Sequence, residues 1–139
     1  MAVARASLEL LAPPADVWQF LAEPHHLADW WPGIGAVEPD RRGAAPGARW
    51  RVRRRTASLL RNAQAEDTLV VTAADPPRRF GFELVGARLR VQLTLAPVGA
   101  SRTRAELAVD GPLLLGFSRK LPKSALTRLH DLCQTASTL

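Results

Sequence analysis

The chain is dominated by segments in which apolar and polar residues alternate, which is the pattern of β-strands. A first strand is expected over residues 3–11, where Leu8 and Leu10 lie on one face and Ser7 and Glu9 on the other. Six further strands are expected over residues 35–39, 49–59, 63–74, 80–84, 89–95 and 103–109. Because most of these segments have one apolar and one polar face, we expect an antiparallel sheet that is covered on one side.

Apolar residues first recur at helical spacing directly after the first strand. A helix is expected from about Pro14 to Ala22, because proline is tolerated in a first helical turn and Asp16 there complements the helix dipole. A second, shorter helix is expected over residues 25–31, where Pro32-Gly33 would end it. The sequence therefore predicts two short helices between the first and second strands.

The longest helical pattern lies at residues 113–137, where apolar residues recur at steps of three and four. Pro122 is expected to kink this helix or to split it after Lys120. The order of elements is then one strand, two short helices, six strands and a long helix, which predicts a single α+β domain over residues 1–139. A curved sheet that wraps the last helix cannot fill its own concave face with side chains. We therefore expect a cavity between the sheet and the C-terminal helix.

The composition is that of a globular protein rather than a disordered one, with 47% apolar and 23% charged residues in a chain of 139. A lone cysteine, Cys133, excludes an internal disulfide and suits a reducing compartment. No secretory hydrophobic segment follows Met1, and the longest uncharged apolar run, residues 112–118, is too short to span a bilayer. These features predict a cytoplasmic protein without a membrane span.

The formal net charge of +6 raises the question of a nucleic-acid partner, since cations neutralise phosphates. Nearly all the cations are arginines, as codon bias in a GC-rich genome would produce. Those expected on the convex face of the sheet are Arg51, Arg53, Arg55, Arg88, Arg90, Arg102 and Arg104. The glutamates that would partly compensate them across strands are Glu38, Glu66, Glu83 and Glu106. Since the chain has no tyrosine and no aromatic residue among these arginines, stacking on bases is unsupported and a solvated face is favoured.

Five segments of the chain resemble the SRPBCC superfamily, which comprises START, Bet v 1-like and polyketide cyclase helix-grip domains. They are residues 7–10 (SLEL), 12–18 (APPADVW), 30–33 (WWPG), 47–50 (GARW) and 75–80 (DPPRRF). With the order of the elements, the resemblance covers essentially the whole chain. It implies a helix-grip fold, in which a curved antiparallel sheet of about seven strands wraps a long C-terminal helix. The superfamily includes lipid and hormone carriers, polyketide cyclases and quinone-binding chaperones, and it has no shared catalytic motif, so the resemblance assigns no catalytic residue.

The apolar residues that face the concave side of the sheet are candidates for the wall of the cavity. Those expected to contact a ligand are Trp31, Trp50, Phe80, Phe82, Leu93, Leu95 and Phe117. The alternative for most of them is ordinary core packing. Trp30 and Trp31 flank the turn out of the second helix, at the expected mouth of the cavity. One of the two is expected to fill the core, and Trp31 is expected to form a partly exposed lid.

Arg54 is the candidate polar anchor of the site. It shares a face with Trp50, so strict alternation turns its guanidinium inward. A buried arginine needs a partner, which is either Asp67 or an acidic group of a ligand. A hairpin turn at Leu60-Arg61 or Arg61-Asn62 would place Asp67 on the same face. The alternative is that Arg54 lies near the end of its strand and extends to solvent.

Other polar groups are weaker candidates. His25 and Asp29 stand at i and i+4, but no third ligand accompanies them, so neither a metal nor a cofactor is expected. His130 beside Asp131 could titrate near neutrality, although its helical phase favours solvent. Cys133, on or near the apolar stripe, is expected to be a buried and inert thiol.

The sequence favours a protein that binds a small hydrophobic molecule, such as a lipid or a polyketide, with or without an acidic group. The first alternative is a cyclase or dehydratase that uses the same cavity, with Asp67, Arg54 and His130 as candidate groups. The second is an interaction module that uses the basic convex face. Binding is favoured over catalysis, nucleic acid is disfavoured as a partner, and both a monomer and a homodimer remain open.

Overall fold

The computed structural model of this protein describes residues 2–54, 66–111 and 119–137. The strands are β1 (Ala2–Leu10), β2 (Ile34–Glu38), β3 (Arg49–Arg54), β4 (Glu66–Asp75), β5 (Arg79–Leu84), β6 (Leu89–Val98) and β7 (Arg102–Gly111). The helices are α1 (Pro14–Ala22), α2 (Leu27–Trp30), which follows a 3-10 turn over Pro24–His26, and α3 (Leu121–Ser137).

The strands form one antiparallel sheet in the order β1-β7-β6-β5-β4-β3-β2. The helices α1 and α2 carry the chain from β1 at one edge to β2 at the other, and each later strand then pairs with the one before it. The predicted antiparallel sheet, the two short helices and the C-terminal helix are thus confirmed. The predicted strand segments 55–59 and 63–65 lie outside the described residues.

Burial alternates along the strands as the sequence predicts. In β3, Trp50 and Val52 are buried whereas Arg51 and Arg53 are exposed. The inward side chains of the other strands join them in a continuous core that also includes the buried residues of the helices. One face of the sheet is therefore covered and the other is open to solvent.

The helix α1 begins where the sequence places it, because Pro13 and Pro14 end β1 and start the first helical turn. Its inner face is formed by Val17 and Leu21, which are buried. A hydrogen bond fixes the junction before it: the hydroxyl of Thr103 in β7 donates to the carbonyl oxygen of Ala12 over 2.7 Å. The end of β1 and the start of α1 are therefore held against β7.

The helix α3 begins directly after Lys120, with Pro122 in its first turn. Pro122 therefore does not kink α3, because proline is well accommodated in a first helical turn. The predicted helical residues 113–118 lie outside the described part of the chain. The buried face of α3 includes Leu126, while Leu132 is half-buried at its margin. No described helix combines the length and apolar character that crossing a membrane requires.

Candidate functional site

The tryptophans and phenylalanines predicted to line a cavity form a packed aromatic cluster. Trp31 meets Trp30 and Phe82 edge-on, with ring centroids 5.6 and 5.3 Å apart, and Phe82 lies 5.8 Å from Phe80. Trp31 is only 2% exposed, so the prediction that it forms a partly exposed lid is wrong. The reason is that Trp31 leaves α2 in an extended conformation and its ring packs on the inner face of the sheet.

The other predicted wall residues are buried in the same core. The rings of Trp50 and Phe80 stack. The indole Nε1 of Trp50 donates a hydrogen bond to the carbonyl oxygen of Gly43, 2.6 Å away. Leu93 and Leu95 are buried as well. Phe117 lies outside the described residues. The described members of this set are buried and pack on one another, and their role as ligand contacts stays a prediction.

The polar candidates Arg54 and Asp67 are brought together by the sheet. Asp67 pairs in register with Val52, so it lies on the inner face, and its carboxylate accepts a hydrogen bond from the guanidinium of Arg54. The side chain of Asp67 is 3% exposed and that of Arg54 is 33% exposed. The structure thus pairs Arg54 with Asp67, one of the two partners that the sequence allows for it.

The Asp67 carboxylate also binds the turn between β5 and β6. It accepts hydrogen bonds from the backbone amides of Thr68, Gly86 and Ala87 at 2.8, 2.5 and 3.1 Å. A Cβ at Gly86 would lie 2.8 Å from Oδ1 of Asp67, so this close approach requires glycine. With four protein donors on its two oxygens, Asp67 ties β3, β4 and this turn together. The contribution of Gly86 had no recognisable signal in the sequence.

A pocket of about 300 Å³ lies at another place in the fold, between the β1–α1 junction, the β6–β7 turn and α3. The residues that line it are Leu11, Ala12, Pro13, Asp16, Phe20, Ser101, Leu132 and Cys133. None of them is among the ligand contacts predicted from the sequence. The segment 12–18 was recognised as a family feature, but its proximity to Ser101 and to the end of α3 arises only in the folded chain.

The walls of this pocket are mainly apolar, and one of them is held in place by a histidine. The ring of His26 stacks on Phe20 with centroids 4.2 Å apart, and its Nδ1 donates to the backbone carbonyl oxygen of Phe20 over 2.8 Å. Among the described residues of the lining, Asp16 is the charged group and Ser101 supplies a hydroxyl. The pocket therefore offers an apolar surface with few polar contacts, as small-molecule sites do.

The pocket and the Arg54–Asp67 pair lie at opposite ends of the strands. Ser101 belongs to the turn that follows β6, whereas Gly86 belongs to the turn that precedes it. The ten residues of β6 span roughly 30 Å at about 3.3 Å per residue. Arg54 is therefore too distant to anchor a molecule in this pocket.

Cys133 lies on the buried face of α3 and contributes to the pocket lining, as a buried thiol. Burial raises the pKa of this thiol above its ordinary value of 9.0, and the nearby negative charge of Asp16 raises it further. At pH 8 the reactive thiolate is therefore scarcer than in a free thiol.

We expect a disulfide reagent such as 5,5′-dithiobis(2-nitrobenzoate) to label Cys133 at pH 8 at least about tenfold more slowly than it labels glutathione. The rate should rise as the pH increases beyond 9, because the thiolate then forms. Protein unfolded in urea is the control and should react at the rate of a free thiol. Equal rates for the folded protein and glutathione would contradict this environment.

The remaining polar candidates are separate from the pocket. His25 pairs with Glu23 at 2.7 Å, and within the described ranges no three His, Cys, Asp or Glu side chains are grouped to hold a metal ion. His130 lies 3.3 Å from Asp131 and is partly exposed. The pair is not part of the pocket lining.

The predicted convex arginines are exposed, apart from Arg55, which lies outside the described residues. Arg51 pairs with Glu38 at 3.6 Å and Arg53 with Glu66 at 3.7 Å, as the predicted compensation requires. Pairs of this kind between exposed side chains are individually weak. They reduce the positive potential of this face.

A seven-stranded antiparallel sheet covered by a C-terminal helix, with two short helices after the first strand, defines a Bet v 1-like helix-grip protein. The sequence matches the model of the family described as polyketide cyclase / dehydrase and lipid transport over residues 1–133, and the chain belongs to that family. The resemblance to the SRPBCC superfamily is thereby confirmed. No curated protein matches the sequence significantly.

Solved structures share the fold at low sequence identity. The protein XoxI from Bacillus cereus is similar with a TM-score of 0.72 and 13% identity, over 99% of each chain. A point mutant of norcoclaurine synthase from Thalictrum flavum, in complex with a transition-state analogue, has a TM-score of 0.67 and 14% identity over 98% of this chain and 96% of that one. The Aha1 dimer from Colwellia psychrerythraea has a TM-score of 0.67 and 15% identity, over 97% and 96%. At these identities the likeness shows the fold.

Proposed function

We propose that this protein binds a small hydrophobic molecule in the pocket between the β1–α1 junction, the β6–β7 turn and α3. The observation that carries the proposal is the pocket itself, whose mainly apolar lining borders about 300 Å³. This volume is at the lower end of the range of roughly 300–1,000 Å³ that is usual for small-molecule sites. Membership of a family of polyketide cyclases, dehydrases and lipid transport proteins supports a ligand of this kind.

The energy of such binding would come from removing apolar surface from water. Each methylene that enters the pocket contributes about 0.8 kcal/mol, and several kcal/mol are lost to association. A ligand of about ten carbons therefore gains about 8 kcal/mol from burial, and after the association cost its affinity is nearer millimolar than micromolar. Asp67, the candidate carboxylate of the alternative cyclase or dehydratase, already accepts hydrogen bonds from four protein donors, which favours binding over catalysis.

The pocket can be blocked from the surface without changing the core. Ser101 is an exposed residue of the β6–β7 turn and lines the pocket, so Ser101→Trp should fill the opening and weaken the binding of a neutral apolar probe at least about tenfold. The probe is N-phenyl-1-naphthylamine, whose fluorescence rises in apolar surroundings. The measurement is a fluorescence titration.

Ala100→Trp is the matched control, since Ala100 is exposed in the same turn but does not line the pocket. It should leave the affinity within about twofold of the original protein, as expected of a surface substitution. Failure of the unmodified protein to bind the probe, or equal affinities for the two tryptophan variants, would refute this site.

A further inference from the structure

The charge of the pocket lining allows the class of its ligand to be narrowed. Asp16 is the charged side chain of the described lining, and it lies in the first turn of α1. A carboxylate is stable there, because the N-terminal end of a helix favours negative charge. The pocket therefore has a carboxylate on its wall.

The effect of Asp16 extends to the thiol of Cys133 across the pocket lining. The charge of Asp16 helps to raise the pKa of that thiol, since a negative neighbour opposes formation of a thiolate. A carboxylate brought into the pocket by a ligand would meet the same repulsion. An ammonium group would experience attraction instead.

The arginine that is adjacent in sequence to the lining residue Ser101 does not neutralise the charge of Asp16. Arg102 follows Ser101 directly, but its guanidinium pairs with Glu9 at 2.7 Å. Arg54 is bound to Asp67 at the other end of the sheet. Both of these cations have acidic partners within the described structure.

We propose that the pocket prefers hydrophobic molecules with a cationic amine over those with a carboxylate, and that Asp16 determines this preference. This inference rests on the proposed function. An alcohol of equal length should bind with intermediate affinity. This differs from the sequence-based expectation of an acidic ligand held by Arg54. The structure separates Arg54 from the pocket and places a carboxylate there instead.

The test compares three probes that share a nine-carbon chain: nonylamine, nonan-1-ol and nonanoate. Each displaces N-phenyl-1-naphthylamine at pH 7 and low ionic strength, where the amine and the carboxylic acid are both ionised. We expect nonylamine to bind about tenfold more tightly than nonanoate, a ratio typical of a partly solvated charge. High salt should reduce this ratio and leave the affinity of nonan-1-ol nearly unchanged.

Asp16→Asn removes the charge and keeps the shape of the side chain, so the ratio should fall to about twofold. Asp29→Asn is the matched control, because Asp29 is also an exposed aspartate in a short helix but does not line the pocket. It should retain the original ratio. Circular dichroism and thermal melting of both variants establish that they fold.

The outcomes separate this inference from the proposed function. If the neutral probe binds, and Ser101→Trp blocks it, the site stands. Equal or tighter binding of nonanoate, or an unchanged ratio in Asp16→Asn, would then overturn the charge preference alone. If the neutral probe does not bind, or Ser101→Trp has no effect on it, the proposed site and the preference both fail.

Discussion

Replacing Asp67 with alanine is expected to lower the free energy of unfolding by about 3 kcal/mol. The carboxylate accepts hydrogen bonds from Arg54 and from the amides of Thr68, Gly86 and Ala87. Its removal leaves these donors, which belong to half-buried residues and to the exposed Gly86, without their acceptor. Because the Arg54 side chain is one-third exposed, water recovers part of the loss, and we place the effect below that of a fully buried pair. Urea denaturation followed by circular dichroism measures the change.

Glu66→Ala is the matched control for this substitution, since Glu66 precedes Asp67 in the same strand and also faces an arginine. Its pair with Arg53 is exposed on both sides, so the expected loss is about 0.5 kcal/mol or less. Gly86→Ala offers an independent route to the same contact, because its Cβ would collide with Oδ1 of Asp67. If Asp67→Ala were as mild as Glu66→Ala, the connecting role of Asp67 would be wrong.

Trp31→Ala is expected to lower the free energy of unfolding by about 4 kcal/mol, which is typical of truncating a large aromatic residue in a packed core. Trp31 contacts both Trp30 and Phe82, and such aromatic pairs stabilise the core beyond the area that they bury. The same denaturation experiment measures the effect. Val98→Ala, at an exposed position near the end of β6, should change stability by less than about 0.5 kcal/mol.

This substitution also distinguishes a core residue from a lid. A tryptophan that only covered a cavity would be replaced at little cost in stability, with its main effect on ligand affinity. A loss below about 1 kcal/mol for Trp31→Ala would therefore support the lid and contradict the packing described above. The large loss of unfolding free energy that we expect would show that Trp31 is a core residue.

The separation of the core from the pocket has a functional consequence. The aromatic cluster belongs to the core on the inner face of the sheet, and the pocket lies at one end, where β1 passes into α1. Under the proposed function, substitutions at Asp16 and Ser101 would change ligand selectivity without disturbing the core.

The elements of this fold could be predicted from the sequence because their signals are local. Alternation of burial in β3, the two prolines before α1 and the proline after Lys120 each act within a few residues. The sequence also predicts that Asp67 lies on the inner face of the sheet, and it does. Its partner in register is Val52, however, whereas the suggested turns would have aligned it with other residues of β3 or beyond. A register shift of two residues keeps every side chain on its own face.

The tertiary structure alone decided which inward residues pack and which border an open pocket. Period-two alternation assigns a face to Phe80, Phe82 or Leu93, but it carries no information about the space in front of that face. That space depends on how α1, α3 and the sheet fit together, and the pocket brings together residues 11–20, Ser101 and residues 132–133, which are distant in sequence. Likewise, the contact between Gly86 and Asp67 joins residues that are nineteen positions apart in the chain. Chain patterns specify which side a residue faces, whereas contacts across the fold determine what it meets there.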